Sequence, residues 1–152
     1  MKLSDIPPHV TDINPPWFFQ KVYSEGNQDD VIPLFHNHYY DGPLSGYFKH
    51  QDRYFFAKAI YPEDRKYWAS WELTEEEKKA ALDRHDLFCK YVGEHTSYFL
   101  DENENWSRNL GKVQPPDMWD GFYKNPNVPT VDIESIENRE IFGILLNPFK
   151  SW

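Results

Sequence analysis

The chain reads as a single α+β domain over residues 1–152, and three observations predict it. Between Val31 and Glu72, short runs rich in aromatic residues alternate with turn residues. A capped, amphipathic stretch follows directly at 75–92. Apolar runs then return near the C-terminus, at 130–146. The expected architecture is an antiparallel β-meander of about four strands (31–72) packed by one main helix (75–92), with a C-terminal β-hairpin. A Pro-rich extended N-terminal arm (1–16) precedes it.

That arm contains Pro7, Pro8, Pro15 and Pro16, and Trp17, Phe18 and Phe19 would anchor it. Gly26, Asn27, Asp29 and Asp30 mark Ser24–Asp30 as a loop. Val31–Tyr40 is the first strand, with Pro33 favouring an edge position because proline cannot donate to a ladder. Asp41–Gly46 is dense in turn residues. Tyr47–His50 and Arg53–Tyr61 flank Gln51-Asp52, which reads as a tight hairpin. Along the third strand Tyr54, Phe56, Lys58 and Ile60 share one face, and Phe55, Ala57, Ala59 and Tyr61 the other. Both faces are largely apolar, so this strand is expected at the centre. Lys66–Glu72 is the fourth.

Thr74-Glu75-Glu76-Glu77 has the spacing of a capping box, and its glutamates suit the positive end of a helix dipole. Ala80, Ala81, Leu87, Phe88, Tyr91 and Val92 then fall on one side at helical spacing, with Arg84 inside the stripe and Gly93 as the stop. His95–Leu100 fits a short strand or a helical turn, and Asp101–Asn105 is an acidic loop. Lys112–Asn127 reads as a long loop pinned by Met118, Trp119, Phe122 and Tyr123. Thr130–Ile136 and Glu140–Leu146 form the second hairpin, although Ile133–Leu146 also fits a helix.

Composition narrows the function classes. Aromatic residues make up 18% of the chain, while 25 Asp and Glu against 16 Lys and Arg give a formal charge of −9. Direct binding of a nucleic-acid backbone is not expected, because it relies on cationic side chains to displace counterions. The single cysteine, Cys89, cannot make an intrachain disulfide and fits a reducing compartment. No secretory h-region and no run of about 18 apolar residues is present, so a cytoplasmic protein without a membrane span is expected.

Residue patterns for catalysis are sparse, and no catalytic residue is assigned. His36 and His38, spaced i, i+2 on a strand, would point two imidazoles to one side. With Asp41, His50 or His95 they could hold zinc or another divalent metal as part of an enzyme. The ordinary reading is a pair of half-buried histidines among Ile32, Leu34 and Tyr40, with no metal and no cofactor. Cys89 beside a histidine fits a nucleophile but more simply a small buried hydrophobe. Arg84 fits a carboxylate or phosphate grip, or an arginine whose stem packs while its guanidinium pairs with Glu77, Asp101 or another acid. Paired acids and exposed rings would also suit a carbohydrate-binding module, at odds with the expected compartment.

The leading expectation is therefore an acidic, aromatic-rich protein-interaction module, in its most concrete form an inhibitor or immunity-type protein covering a basic partner surface. Aromatic anchors would give affinity and carboxylates a steered encounter. The candidate binding residues are Trp106, Trp119 and Trp17, with Glu102 and Glu104 as an acidic rim, and Tyr40 beside the Asp41–Gly46 turn.

Overall fold

A computed structural model describes residues 1–6, 31–39, 43–62, 65–93, 97–100, 106–109 and 115–149. In chain order the elements are β1 (Ile32–Tyr39), β2 (Pro43–His50), β3 (Arg53–Ala59), β4 (Tyr67–Glu72), α1 (Glu75–Tyr91), β5 (Ser97–Leu100), β6 (Trp106–Asn109), α2 (Pro116–Tyr123), α3 (Ile133–Glu137) and β7 (Gly143–Leu146). They form two compact units, Met1–Glu72 with Ile133–Trp152, and Leu73–Asp132. The mixture is α+β, as the sequence predicts.

The first unit is built on five antiparallel strands in the order β1-β2-β3-β4-β7. The expected meander is its first four strands, and β3 lies at the centre. Phe55, Phe56, Ala57 and Ala59 of β3 are buried, so both of its faces are covered. One face carries a row of rings across four strands. Phe35 lies 4.8 Å from Tyr47, Tyr47 5.5 Å from Phe56, and Phe56 5.9 Å from Trp71, centroid to centroid. Direct cross-strand pairing (Phe35 with Tyr47, Tyr47 with Phe56, Phe56 with Trp71) sets this row, and such aromatic pairs are a main source of sheet stability. On the opposite face Phe48 stacks on Phe55 at 4.9 Å, and Phe149 sits 5.4 Å from Trp68.

The β2–β3 connection is the expected two-residue hairpin. Gln51 and Asp52 have φ of 50° and 62°, the doubly positive φ of a type I′ turn, whose twist matches that of the flanking strands. Of the expected Asp41–Gly46 turn, Pro43–Gly46 belong to β2 instead, and Asp41 and Gly42 lie outside the described residues. Gly46 is a strand residue facing His36, not a turn residue. A Cβ there would lie 2.5 Å from the Phe149 ring and 2.6 Å from the Phe35 carbonyl oxygen, so the glycine is required by close approach rather than by a turn.

The C-terminal hairpin is met in its second arm only. Glu140–Leu146 supplies β7, which pairs with β4. The Thr130–Ile136 arm is replaced by α3, with Ile133 and Ile136 at i, i+3 and Ile136 fully buried. Ser70 fixes the β4–β7 pairing by donating from its buried Oγ to the Gly143 carbonyl at 2.8 Å, and Trp71 Nε1 donates to the Arg139 carbonyl at 3.2 Å. Of the Pro-rich arm only the start is described, and Leu3–Asp5 there is a 3-10 turn rather than extended chain. The rest of the arm lies outside the described residues.

In the second unit α1 begins as predicted. Thr74 Oγ1 accepts from the Glu77 N–H at 3.1 Å, and the Thr74 N–H donates to Glu77 Oε1 at 2.9 Å. Gly93, at φ 96°, closes the helix with its N–H on the Phe88 carbonyl at 3.1 Å. The alternative of a strand near His95–Leu100 is realised as β5, which pairs with β6. The packing partner of α1 within this unit is α2. The long loop expected at 112–127 is thus corrected over 116–123 to a helix, followed by turns.

Among the described residues, no helix is long and apolar enough to cross a membrane.

Candidate functional site

The clearest candidate for contact with another molecule is the outer surface of α2. Pro116 starts this helix, where its fixed φ fits and its missing N–H costs nothing, and Asp117 sits in the favourable first turn. Gly121 and Phe122 hold it against α1. A Cβ on Gly121 would meet the Tyr91 ring at 2.6 Å, so only glycine allows this approach. Phe122 is buried, edge-on to Phe88 at 5.4 Å. The Arg84 guanidinium covers the Phe122 ring at 4.8 Å and donates from Nη1 to the Pro129 carbonyl at 3.1 Å. The Arg84 head therefore meets a ring and a carbonyl, where the ordinary reading expects a carboxylate such as Glu77 or Asp101. It braces α2 and the segment after it.

This anchoring leaves a mixed outer surface. Tyr123 is 62% exposed with its ring edge-on to Phe122 at 5.1 Å, and Met118 is also exposed. Asp117 and Asp120 are exposed on the same helix. Lys124 Nζ meets Asp120 Oδ2 at 3.1 Å, which leaves the Asp117 charge to set the sign of the helix start. Apolar groups beside carboxylates are what the sequence leads one to expect of a contact surface, at a place it reads as loop. The available signals were Pro115-Pro116 as a helix start and Met118, Trp119 and Phe122 at helical spacing.

The expected binding residues are only partly brought into view. Trp119 lies on α2 and is half-buried, with partners of its own. Trp106 begins β6, so its backbone belongs to a strand rather than a loop. Trp17, Tyr40, Glu102 and Glu104 lie outside the described residues. Tyr47, directly after the expected Asp41–Gly46 turn, is buried in the ring row.

Both histidines of the candidate metal pair lie on β1. His36 stands opposite Gly46 and His38 opposite Ser45, with a register shift between them. The His36 ring is edge-on to Phe149 at 6.1 Å. His50 pairs with Arg53, four residues along β2 from Gly46 and so about 13 Å away at ~3.3 Å per residue. Asp41 and His95 lie outside the described residues.

Cys89 is half-buried, with Sγ 3.4 Å from His85 Nε2 one helical turn away. The strongest electrostatic pairing lies elsewhere, at Arg53 and Glu72. The guanidinium grips the carboxylate through two N–H groups, Nε at 2.8 Å from Oε1 and Nη2 on Oε2. That hydrogen bonding holds the Glu72 carboxyl below the ordinary carboxylate range and raises Arg53. Arg53 also covers the exposed Phe142 ring at 4.7 Å.

No family model matches the chain, and neither a curated protein nor a solved structure matches it.

Proposed function

We propose that the chain is an acidic protein-interaction module that engages a basic surface of a partner protein, acting as an inhibitor or immunity-type protein. The observation that carries this reading is the outer surface of α2, where exposed Met118 and Tyr123 share one rigidly anchored helix with exposed Asp117 and Asp120. At about 100° per residue Met118 and Tyr123 flank the two carboxylates around the helix, and apolar groups beside charged ones are common in contact surfaces. The chain charge of −9 favours a cationic partner through long-range steering. Trp119 on the same helix, with Trp106, Trp17, Tyr40, Glu102 and Glu104, would extend the surface.

The test is quantitative affinity capture from an extract of the producing cell, comparing the native chain with a Met118→Ala, Tyr123→Ala double variant. The expected capture is a basic protein that is enriched by the native chain and lost with the double variant. Equal capture by both would remove α2 from the interface. Capture of an acidic partner would overturn the reading.

A further inference from the structure

The first unit contains a cleft of about 340 Å³ between the β2–β3 pair and α3, walled by Leu44, Phe56, Pro62 and Ile133, with Lys58 and Glu137 at its polar end. Well-packed interiors leave few voids larger than a water molecule. This volume sits at the lower end of the range of small-molecule sites, which combine apolar walls with a few convergent polar groups.

The polar end has a defined chemistry. Strand alternation puts Lys58 on the same face of β3 as the buried Phe56, an unusual place for a charged side chain. Its stem lines the cleft, and Nζ reaches Glu137 Oε1 at 3.1 Å. The two members are not equally accessible. The Lys58 side chain is 40% exposed and that of Glu137 21%. An ammonium carries three N–H donors, so one bond to Glu137 leaves others for an incoming acceptor. Ser45 is the cross-strand partner of Lys58 and also lines the cleft, placing a hydroxyl at the same end. An incoming cation would have to reach the Glu137 carboxylate, the more enclosed member of the pair.

We propose that this cleft binds a small monocarboxylate with an aromatic or branched apolar body. Its carboxylate is held by Lys58, and its apolar end lies against Phe56, Leu44 and Ile133. The volume sets the size. At ~30 Å³ per water-sized group, the cleft accepts roughly a dozen non-hydrogen atoms.

The experiment is a nitrogen-15 NMR titration of the full chain with hydrocinnamate, its neutral amide hydrocinnamamide, and phenylpropylamine, which differ only in the head group. Saturable shifts of the Ser45, Phe56, Lys58 and Ile133 amides with hydrocinnamate, in the millimolar range or tighter, are expected. The amide should bind about tenfold more weakly, since it loses a charge-assisted bond, and the amine should give no saturable shift. Lys58→Met, which keeps the stem and removes the ammonium, should weaken hydrocinnamate by a similar factor. Absence of saturation, shifts confined to other residues, or equal binding of the three head groups would overturn the proposal. The head-group comparison on the native chain decides it even if Lys58→Met does not fold.

Discussion

Thr74 fastens the first turn of α1 from both directions, its hydroxyl on the Glu77 N–H and its own N–H on the Glu77 carboxylate. Four N–H groups at a helix start lack intrahelical partners, and this pair of bonds deals with the most exposed of them. Thr74→Ala should destabilise the protein by about 1 kcal/mol in urea unfolding; an unchanged midpoint would show that the cap contributes nothing. Glu72 gives a second prediction at this scale, in its pH dependence. Its folded carboxyl is held below the ordinary range by the hydrogen bonds from Arg53. The stabilisation is therefore fully present above the unfolded carboxyl range of about 4, and it is lost as pH falls through the lower folded value. Both side chains are more than a third exposed, so the effect is under about 1 kcal/mol. The stability difference between the native chain and Glu72→Gln should be measurable at neutral pH and close in acid. A difference that persists under acid conditions would mean that the ion pair is not its source.

At the scale of elements, the type I′ turn at Gln51-Asp52 is imperfect in sequence. Both residues take positive φ, which costs a non-glycine residue roughly 1–2 kcal/mol in the left-handed region. Asp52→Gly should stabilise the hairpin by about 0.5 kcal/mol, once the greater entropy of an unfolded glycine is set against that relief. A lower thermal midpoint would show that the contact of Asp52 with Lys49, at 3.7 Å, outweighs the strain. The elements also show what the sequence could reveal. The meander was legible because its strands alternate on two apolar faces and its turns carry strong local signals. The capped helix was legible because Thr74 and Glu77 stand at a fixed spacing. By contrast, Gly121 and Gly46 resemble breakers, yet each permits a close approach to a ring, Tyr91 in one case and Phe149 in the other. Such contacts between distant residues leave no local trace. For the same reason α2 reads as loop. The first arm of the expected hairpin reads as strand because a helix of five residues is too short for its period to be distinctive.

For the molecule as a whole, the pairing of many aromatic residues with a strong negative charge divides into two roles. In the first unit the rings are core: Phe35, Tyr47, Phe56 and Trp71 form a buried row, and Trp68 and Phe149 are buried together. The sequence leads one to expect apolar groups beside carboxylates, and α2 carries such a mixture at a place the sequence reads as loop. Tyr123 and Met118 become exposed only because Phe122 takes the inward place on α2. On the proposed function, the charge of −9 would act at long range, by accelerating encounter with a cationic partner rather than by strengthening contacts. Fields of this kind are screened beyond roughly 10 Å at 0.1 M ionic strength. The most direct measurement is the association rate constant of the chain with its captured partner as a function of salt. The account predicts a fall of about tenfold or more from low to high ionic strength, with a shallower dependence for Asp117→Asn, Asp120→Asn. An association rate that stays constant across the salt series would contradict it.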